Sequence, residues 1–156
     1  MIETERLILR PFLESDAADV LEYLSEPAVN CFADMKLNTL EEARAEIKKR
    51  TNEAKYYFAI VLKEECKVIG EIFAFPECGE PHDTSTLSDT FSPCWMLNGA
   101  YRGKGYAYEA AYAFFDYLFR EEGARRIYAY TEDYNLASQH LCEKLGMRRE
   151  GTFIDF

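Results

Sequence analysis

The strongest constraint on the fold is a change of hydrophobic period along the chain. Tyr56-Tyr57-Phe58-Ala59-Ile60-Val61-Leu62 is an unbroken apolar run, the pattern of a buried strand. Lys63-Glu64-Glu65 supplies a turn, and Lys67 to Phe73 returns as a second strand, so a hairpin is expected. Farther on, Ala107, Ala110, Ala111, Phe114, Phe115 and Leu118 recur at i, i+3, i+4 spacing. That is one apolar stripe of a helix. A chain that carries both periods builds a mixed α/β domain.

The remaining segments fit that class. Leu7 to Phe12 reads as a first strand ended near Pro11, and Glu14 to Leu24 as a helix capped by Ser15 or Asp16 and stopped by Pro27. A second helix is expected from Leu40 to Ala54. Thr39 and Glu42 form its capping box, and its Glu, Lys and Arg residues form a solvated face. Pro76 to Phe91 reads as a long polar loop, followed by a short strand, Cys94–Leu97. Gly123 ends the long helix, Arg126–Tyr130 is a strand, and Asn135–Leu145 is a helix closed by Gly146. A final strand is expected over Met147–Phe153. The order is β-α-α-β-β-β-α-β-α-β. No fixed-period repeat or low-complexity tract interrupts it, so residues 1–156 are expected to form one domain.

Composition narrows the function classes. With 18 Lys+Arg against 28 Asp+Glu, the net charge is −10. This argues against nucleic acid or an anionic membrane surface as the main partner. No apolar run is long enough to span a bilayer, and the charged start lacks the apolar stretch of a signal peptide. A cytoplasmic protein is expected. The cysteines, Cys31, Cys66, Cys78, Cys94 and Cys142, show no CxxC pair, and His82 and His140 are the only histidines. Free thiols and no metal site are therefore expected.

One segment carries recognisable chemistry. Arg102-Gly103-Lys104-Gly105 lies between a strand and a helix start. Two glycines let the backbone turn and approach a ligand, and the first helical turn offers unpaired N–H groups and partial positive charge. Arg102 and Lys104 add full charges. The natural guest is a pyrophosphate; the bland alternative is a glycine-rich connection that binds nothing.

Arg102-Gly103-Lys104-Gly105-Tyr106-Ala107 resembles the [R/Q]-x-x-G-x-[G/A] pyrophosphate loop of the GNAT superfamily of acyl-CoA-dependent N-acyltransferases. Three further segments resemble its branch related to ribosomal-protein N-terminal acetyltransferases. They are Glu3-Thr4-Glu5-Arg6-Leu7-Ile8-Leu9-Arg10, Cys94-Trp95-Met96-Leu97, and Asn135-Leu136-Ala137-Ser138 with Glu143-Lys144-Leu145-Gly146-Met147. The resemblance implies a single domain with a mixed, mostly antiparallel central sheet flanked by helices. It also implies acetyl-CoA as co-substrate, lying in a V-shaped opening between the Trp95–Leu97 and Arg126–Tyr130 strands. Arg102, Gly103, Lys104, Gly105, Tyr106 and Ala107 would hold the pyrophosphate. Trp95, Met96 and Leu97 would bind the pantetheine, and Asn135 would contact the cofactor or cap its helix. An amine would attack the thioester directly, with proximity supplying much of the rate.

The acceptor implied is a protein or peptide N-terminal α-amine. At pH 7.4 such an amine is roughly a quarter neutral, against about 0.1% for a lysine. A small-molecule amine, such as an antibiotic or polyamine, is the alternative acceptor. Glu71 is a candidate base, directly or through a water, or else an outward-facing strand carboxylate; Asp155 is a second candidate. Many family members protonate the leaving thiolate with a tyrosine where this chain has Cys142; the resemblance to the related branch, which carries a serine at the position of Ser138, implies Ser138 as the acid, and the alternative is a small packed residue. Tyr128 and Tyr130 share a strand face, more as packing than as site. His82 with Glu80 and Asp83 lies in the polar loop, at a substrate entrance or a solvated turn. The family adds a strand beyond the Met147–Phe153 segment, and without it the open sheet edge could pair in a homodimer. A non-catalytic acyl-CoA-binding domain and a plain interaction module are the rival classes.

Overall fold

The computed structural model describes residues 1–27, 34–52, 55–77 and 87–154. Its sheet has six strands that lie side by side in chain order: β1 (Ile2–Glu3), β2 (Leu7–Arg10), β3 (Tyr57–Leu62), β4 (Lys67–Glu77), β5 (Leu87–Leu97) and β6 (Arg126–Ile127). Neighbours are antiparallel except β5 and β6, which are parallel. The α-helices among the described residues are α1 (Ala17–Leu24), α2 (Leu40–Asn52), α3 (Tyr106–Arg120) and α4 (Leu136–Lys144).

β3 is buried at all six positions, as an unbroken apolar run demands, because helices cover both faces of the sheet. On one face Leu9, Phe58, Ile60, Ile72 and Phe91 pack with Ala110, Ala111, Phe114 and Leu118 of α3. On the other, Tyr57, Ala59, Val61 and Met96 pack with Val20, Tyr23 and Leu24 of α1 and with Ala43 and Ile47 of α2. Each fully buried Leu, Ile or Phe contributes about 1.5–3 kcal/mol. The face of β3 that carries Phe58 and Ile60 thus meets the 3.6-residue stripe of α3 in one core.

Local signals hold α2 and α3 as the sequence implies. Thr39 Oγ1 accepts the Glu42 N–H at 3.1 Å, and the Glu42 carboxylate accepts the Thr39 N–H at 3.2 Å, so the capping box forms. After α3, the Ala124 N–H closes back on the Leu118 carbonyl at 2.9 Å, the closure that a glycine at 123 permits. Asp16 plays a different part from a simple cap. Its carboxylate accepts the Leu13 N–H at 2.8 Å and the Arg10 guanidinium at 2.7 and 2.9 Å, tying the exit of β2 to the short helical turn Glu14–Asp16.

Several expectations are corrected. The polar stretch is shorter than Pro76–Phe91: β4 runs to Glu77 and β5 starts at Leu87. The strand expected over Arg126–Tyr130 is limited to Arg126–Ile127, and residues 147–154 form no strand. A strand needs a neighbouring ladder for its backbone groups, and the two-residue β6 offers little. A short β1 was not anticipated. The charged residues of α2 do not all face water: Arg50 is 1% exposed.

One glycine sets the spacing next to the site. A side chain at Gly70 would strike the Met96 carbonyl oxygen and come within 3.0 Å of Leu97 Cα. Glycine there lets β4 and β5 approach closely where Gly70 pairs with Leu97.

Candidate active site

β5 passes through Asn98, whose side chain accepts the Ala100 N–H at 3.0 Å, and the turn Gly99–Tyr101 into the loop before α3. Gly103 (φ 75°) and Gly105 (φ 83°) are both left-handed, a backbone that a side chain resists. No side chain caps α3 at Gly105, and no atom lies within 4 Å of where a Gly103 Cβ would stand. The first-turn N–H groups are therefore open to a ligand. Arg102 and Lys104 are exposed beside them, Tyr106 is buried under the loop, and Ala107 is half-buried. Lys104 Nζ rests 5.3 Å from the centre of the Tyr101 ring. Uncapped amides, a helix N-terminus and two exposed cations in an acidic chain fit an anionic group such as a pyrophosphate.

The sheet opens next to this loop. β5 pairs with β6 only at Thr90–Arg126 and Phe91–Ile127, extended by the Tyr128 N–H to the Phe91 carbonyl at 3.1 Å. Beyond that point Trp95, Met96 and Leu97 are paired with β4. α4 crosses the mouth of the opening: the Trp95 indole N–H donates to Ser138 Oγ at 3.2 Å. Asn135 Oδ1 accepts the Ser138 N–H at 3.2 Å, so Asn135 caps α4 and fixes the turn that carries Ser138. A serine oxygen that accepts from an indole keeps its own proton to donate. No residue of α4 is buried, so Ser138 is half-exposed beside the opening. Tyr128 and Tyr130 pack edge to face with ring centres 5.5 Å apart.

Glu71 does not face outward. It is 0% exposed and points into the layer of α1 and α2. Its Oε2 accepts the Tyr23 hydroxyl at 2.7 Å and is paired closely with Arg50 Nη1, while Oε1 accepts the Tyr57 hydroxyl at 3.0 Å. The Arg50 guanidinium lies 5.3 Å from the centres of the Phe12 and Tyr57 rings, and Glu46 approaches its Nε at 3.5 Å. Burial pushes the Glu71 carboxyl up, against the pull of Arg50 and the two hydroxyls. Burial and the Glu71 charge raise both tyrosine hydroxyls well above their ordinary value. Those hydroxyls stay protonated and donate. The enclosed carboxylate leaves no surface for an amine to touch.

Sequence reasoning singled out Arg102–Ala107, Trp95–Leu97, Asn135 and Ser138; in the structure hydrogen bonds join Trp95 to Ser138 and Ser138 to Asn135, and residues 102–107 follow β5 in the chain. It missed Arg50, Tyr23 and Tyr57, and it gave Thr4, Arg6 and Glu109 no structural task. A signal for Arg50 was present: it follows Ala43 and Ile47 on the buried stripe of α2. Asp155 and the His82, Glu80 and Asp83 group lie outside the described residues, as do Cys31 and Cys78. Among the described residues, no group of His, Cys, Asp and Glu could hold a metal ion, and no helix is long and apolar enough to cross a membrane.

Comparison with known proteins agrees with this geometry. The profile of the acetyltransferase (GNAT) domain matches residues 6–148. The N-acetyltransferase YnaD of Bacillus subtilis (strain 168) is 35% identical over 152 residues, spanning 97% of this chain and 85% of its own length. The crystal structure of a GNAT-family acetyltransferase from Bacillus anthracis superposes with a TM-score of 0.79 at 34% identity, covering 96% of this chain and 84% of that one. The fold is shared with the aminoglycoside acetyltransferase AAC(6')-Ib, solved in complex with coenzyme A. There the TM-score is 0.70 at 19% identity, covering 94% and 87% of the two chains. The loop before α3, the split between β5 and β6 and the matched domain lead to one conclusion: the chain belongs to the GNAT acetyltransferases.

Proposed function

We propose that this chain transfers the acetyl group of acetyl-CoA to a primary amine by direct attack in a ternary complex, without an acyl-enzyme. The observation that carries the reading is the uncapped, left-handed Gly103–Gly105 loop at the start of α3, adjoining the unpaired side of β5. Amides of Gly103, Gly105, Tyr106 and Ala107 hold the pyrophosphate, with Arg102 and Lys104 adding charge. Trp95, Met96 and Leu97 present their strand edge to the pantetheine and orient the thioester carbon. Ser138, held by Trp95 and by the cap from Asn135, donates its proton to the leaving thiolate. Glu71 is closed to direct contact with an amine, because the Tyr23 and Tyr57 hydroxyls and Arg50 occupy its oxygens.

The acceptor is a protein or peptide N-terminal α-amine, by resemblance to the ribosomal-protein branch and because an α-amine near pH 7.4 needs little help from a base. A small-molecule amine is the second reading, favoured by the fold shared with an aminoglycoside acetyltransferase. The test is thiol release from acetyl-CoA with three acceptors: a peptide with a free N-terminus, an aminoglycoside and a polyamine. Turnover is expected with the peptide and not with its N-acetylated form. Ser138→Ala is expected to lower kcat by about a hundredfold, the lower end of general acid catalysis, with the Kd for acetyl-CoA nearly unchanged. Tight binding without thiol release from any amine would instead support an acyl-CoA-binding domain.

A further inference from the structure

The residues just before β2 reach across to the pyrophosphate loop. Arg6 Nη1 donates to the Lys104 carbonyl at 2.9 Å. Its Nε and Nη2 both meet Glu109 Oε2 at 2.7 Å, and its guanidinium lies 4.5 Å from the centre of the Tyr106 ring. Glu109 Oε1 is held in turn by the Thr4 hydroxyl at 2.7 Å and the Arg6 N–H at 2.8 Å. A Cβ placed on Gly105 would lie 3.4 Å from Arg6 Nη2. Segments about a hundred positions apart in sequence are thus fastened at three points of one loop: the Lys104 carbonyl, the Tyr106 ring and the first-turn residue Glu109.

Glu109 is the key to what this fastening does. A carboxylate in the first turn of a helix competes with an anion for the partial positive charge there. Left unpaired, it would repel a pyrophosphate bound at the same turn. Arg6 neutralises that carboxylate and also holds the Lys104 carbonyl, so the carbonyl points toward Arg6 and away from an incoming anion. Burial would raise the Glu109 carboxyl, but Thr4 and Arg6 together hold it below the usual carboxylate range, so the group is ionised and needs its counter-ion.

We infer that the Thr4–Arg6–Glu109 cluster positions the pyrophosphate loop and removes the charge that would oppose the ligand, making Arg6 a positioning residue for cofactor binding. This rests on the loop assignment proposed above. Arg6→Ala is expected to raise the Kd for acetyl-CoA about tenfold or more, read by calorimetric titration on a chain that still melts cooperatively. Adding Glu109→Gln removes the exposed charge and is expected to bring the Kd back by about threefold or more. A merely structural contact would not show this rescue, because the second change deletes further bonds. Arg6→Lys keeps a charge but cannot span Glu109 and the Lys104 carbonyl at once. It is expected to weaken binding about threefold or more, and it tests the same point if Arg6→Ala fails to fold. A Kd within about twofold of the native value in both Arg6 variants, or a double variant that binds no better than Arg6→Ala, would overturn the inference. Native affinity in both Gly105→Asp and Arg102→Glu would overturn the loop assignment itself.

Discussion

Replacing Glu71 by alanine is expected to destabilise the fold by about 3–5 kcal/mol, because it leaves the buried Arg50 charge with only the more distant Glu46 carboxylate, 3.5 Å from its Nε. Arg50 is 1% and Glu71 0% exposed, so water cannot take over from the missing carboxylate. For a domain of this size each kcal/mol moves the melting point by about 2–4 °C, so a fall of roughly 6–20 °C is predicted. The double variant Arg50→Met/Glu71→Leu removes both charges and should recover most of the loss. It should not recover all of it, since the Tyr23 and Tyr57 hydroxyls lose their acceptor, at about 1–3 kcal/mol for each hydroxyl left unpaired. Thermal melts of the native chain, the single and the double variant check the order. A single variant as stable as the native chain would contradict the buried pairing. The double variant also separates structure from chemistry: if it folds and still releases thiol, Glu71 is not the base.

The second large effect concerns the loop before α3. Gly105→Asp places a negative charge against the pyrophosphate. Two unit charges about 4 Å apart interact by about 4 kcal/mol at an effective dielectric of 20. Exposure of the loop reduces this, so a loss of acetyl-CoA affinity on the order of a hundredfold is expected. Gly105→Ala serves as the control, since it brings the left-handed backbone strain (φ 83°) without the charge and should cost far less. Arg102→Glu reverses a charge at the other end of the loop and should weaken binding in the same direction. Calorimetry on the three variants checks this, and unchanged affinity in both charge-bearing variants would contradict the assignment.

What the sequence made legible were features coded by local pattern. The β3–β4 hairpin followed from two apolar runs and a charged turn. α2 followed from Thr39 and Glu42, and the loop before α3 from two glycines between cations. What it hid depends on partners far away in the chain. Arg50 reads as one more charge on a charged helix until Glu71, Tyr23 and Tyr57 are brought to it by the sheet. Arg6 reads only as one residue of the family-like Glu3–Arg10 segment until α3 sets Glu109 and the Lys104 carbonyl beside it. The segment expected as a strand over Met147–Phe153, Met-Arg-Arg-Glu-Gly-Thr-Phe, is poor in the β-branched and aromatic residues that favour strands, and among the described residues it finds no neighbour to pair with. Ser138 reads from the sequence either as an acid or as a small packed residue; its bond with Trp95, 43 positions away, is visible only in three dimensions.

The most direct test of the central claim is a calorimetric titration of acetyl-CoA into the purified chain, with a parallel melting scan. At a ligand concentration of 100 times Kd, binding is predicted to stabilise the fold by about 2.7 kcal/mol, which raises the melting point by roughly 5–10 °C. One saturable heat with that shift is the expected result. No heat and an unchanged melting point at millimolar acetyl-CoA would contradict the claim that the Gly103–Gly105 loop and the open side of β5 form a cofactor site.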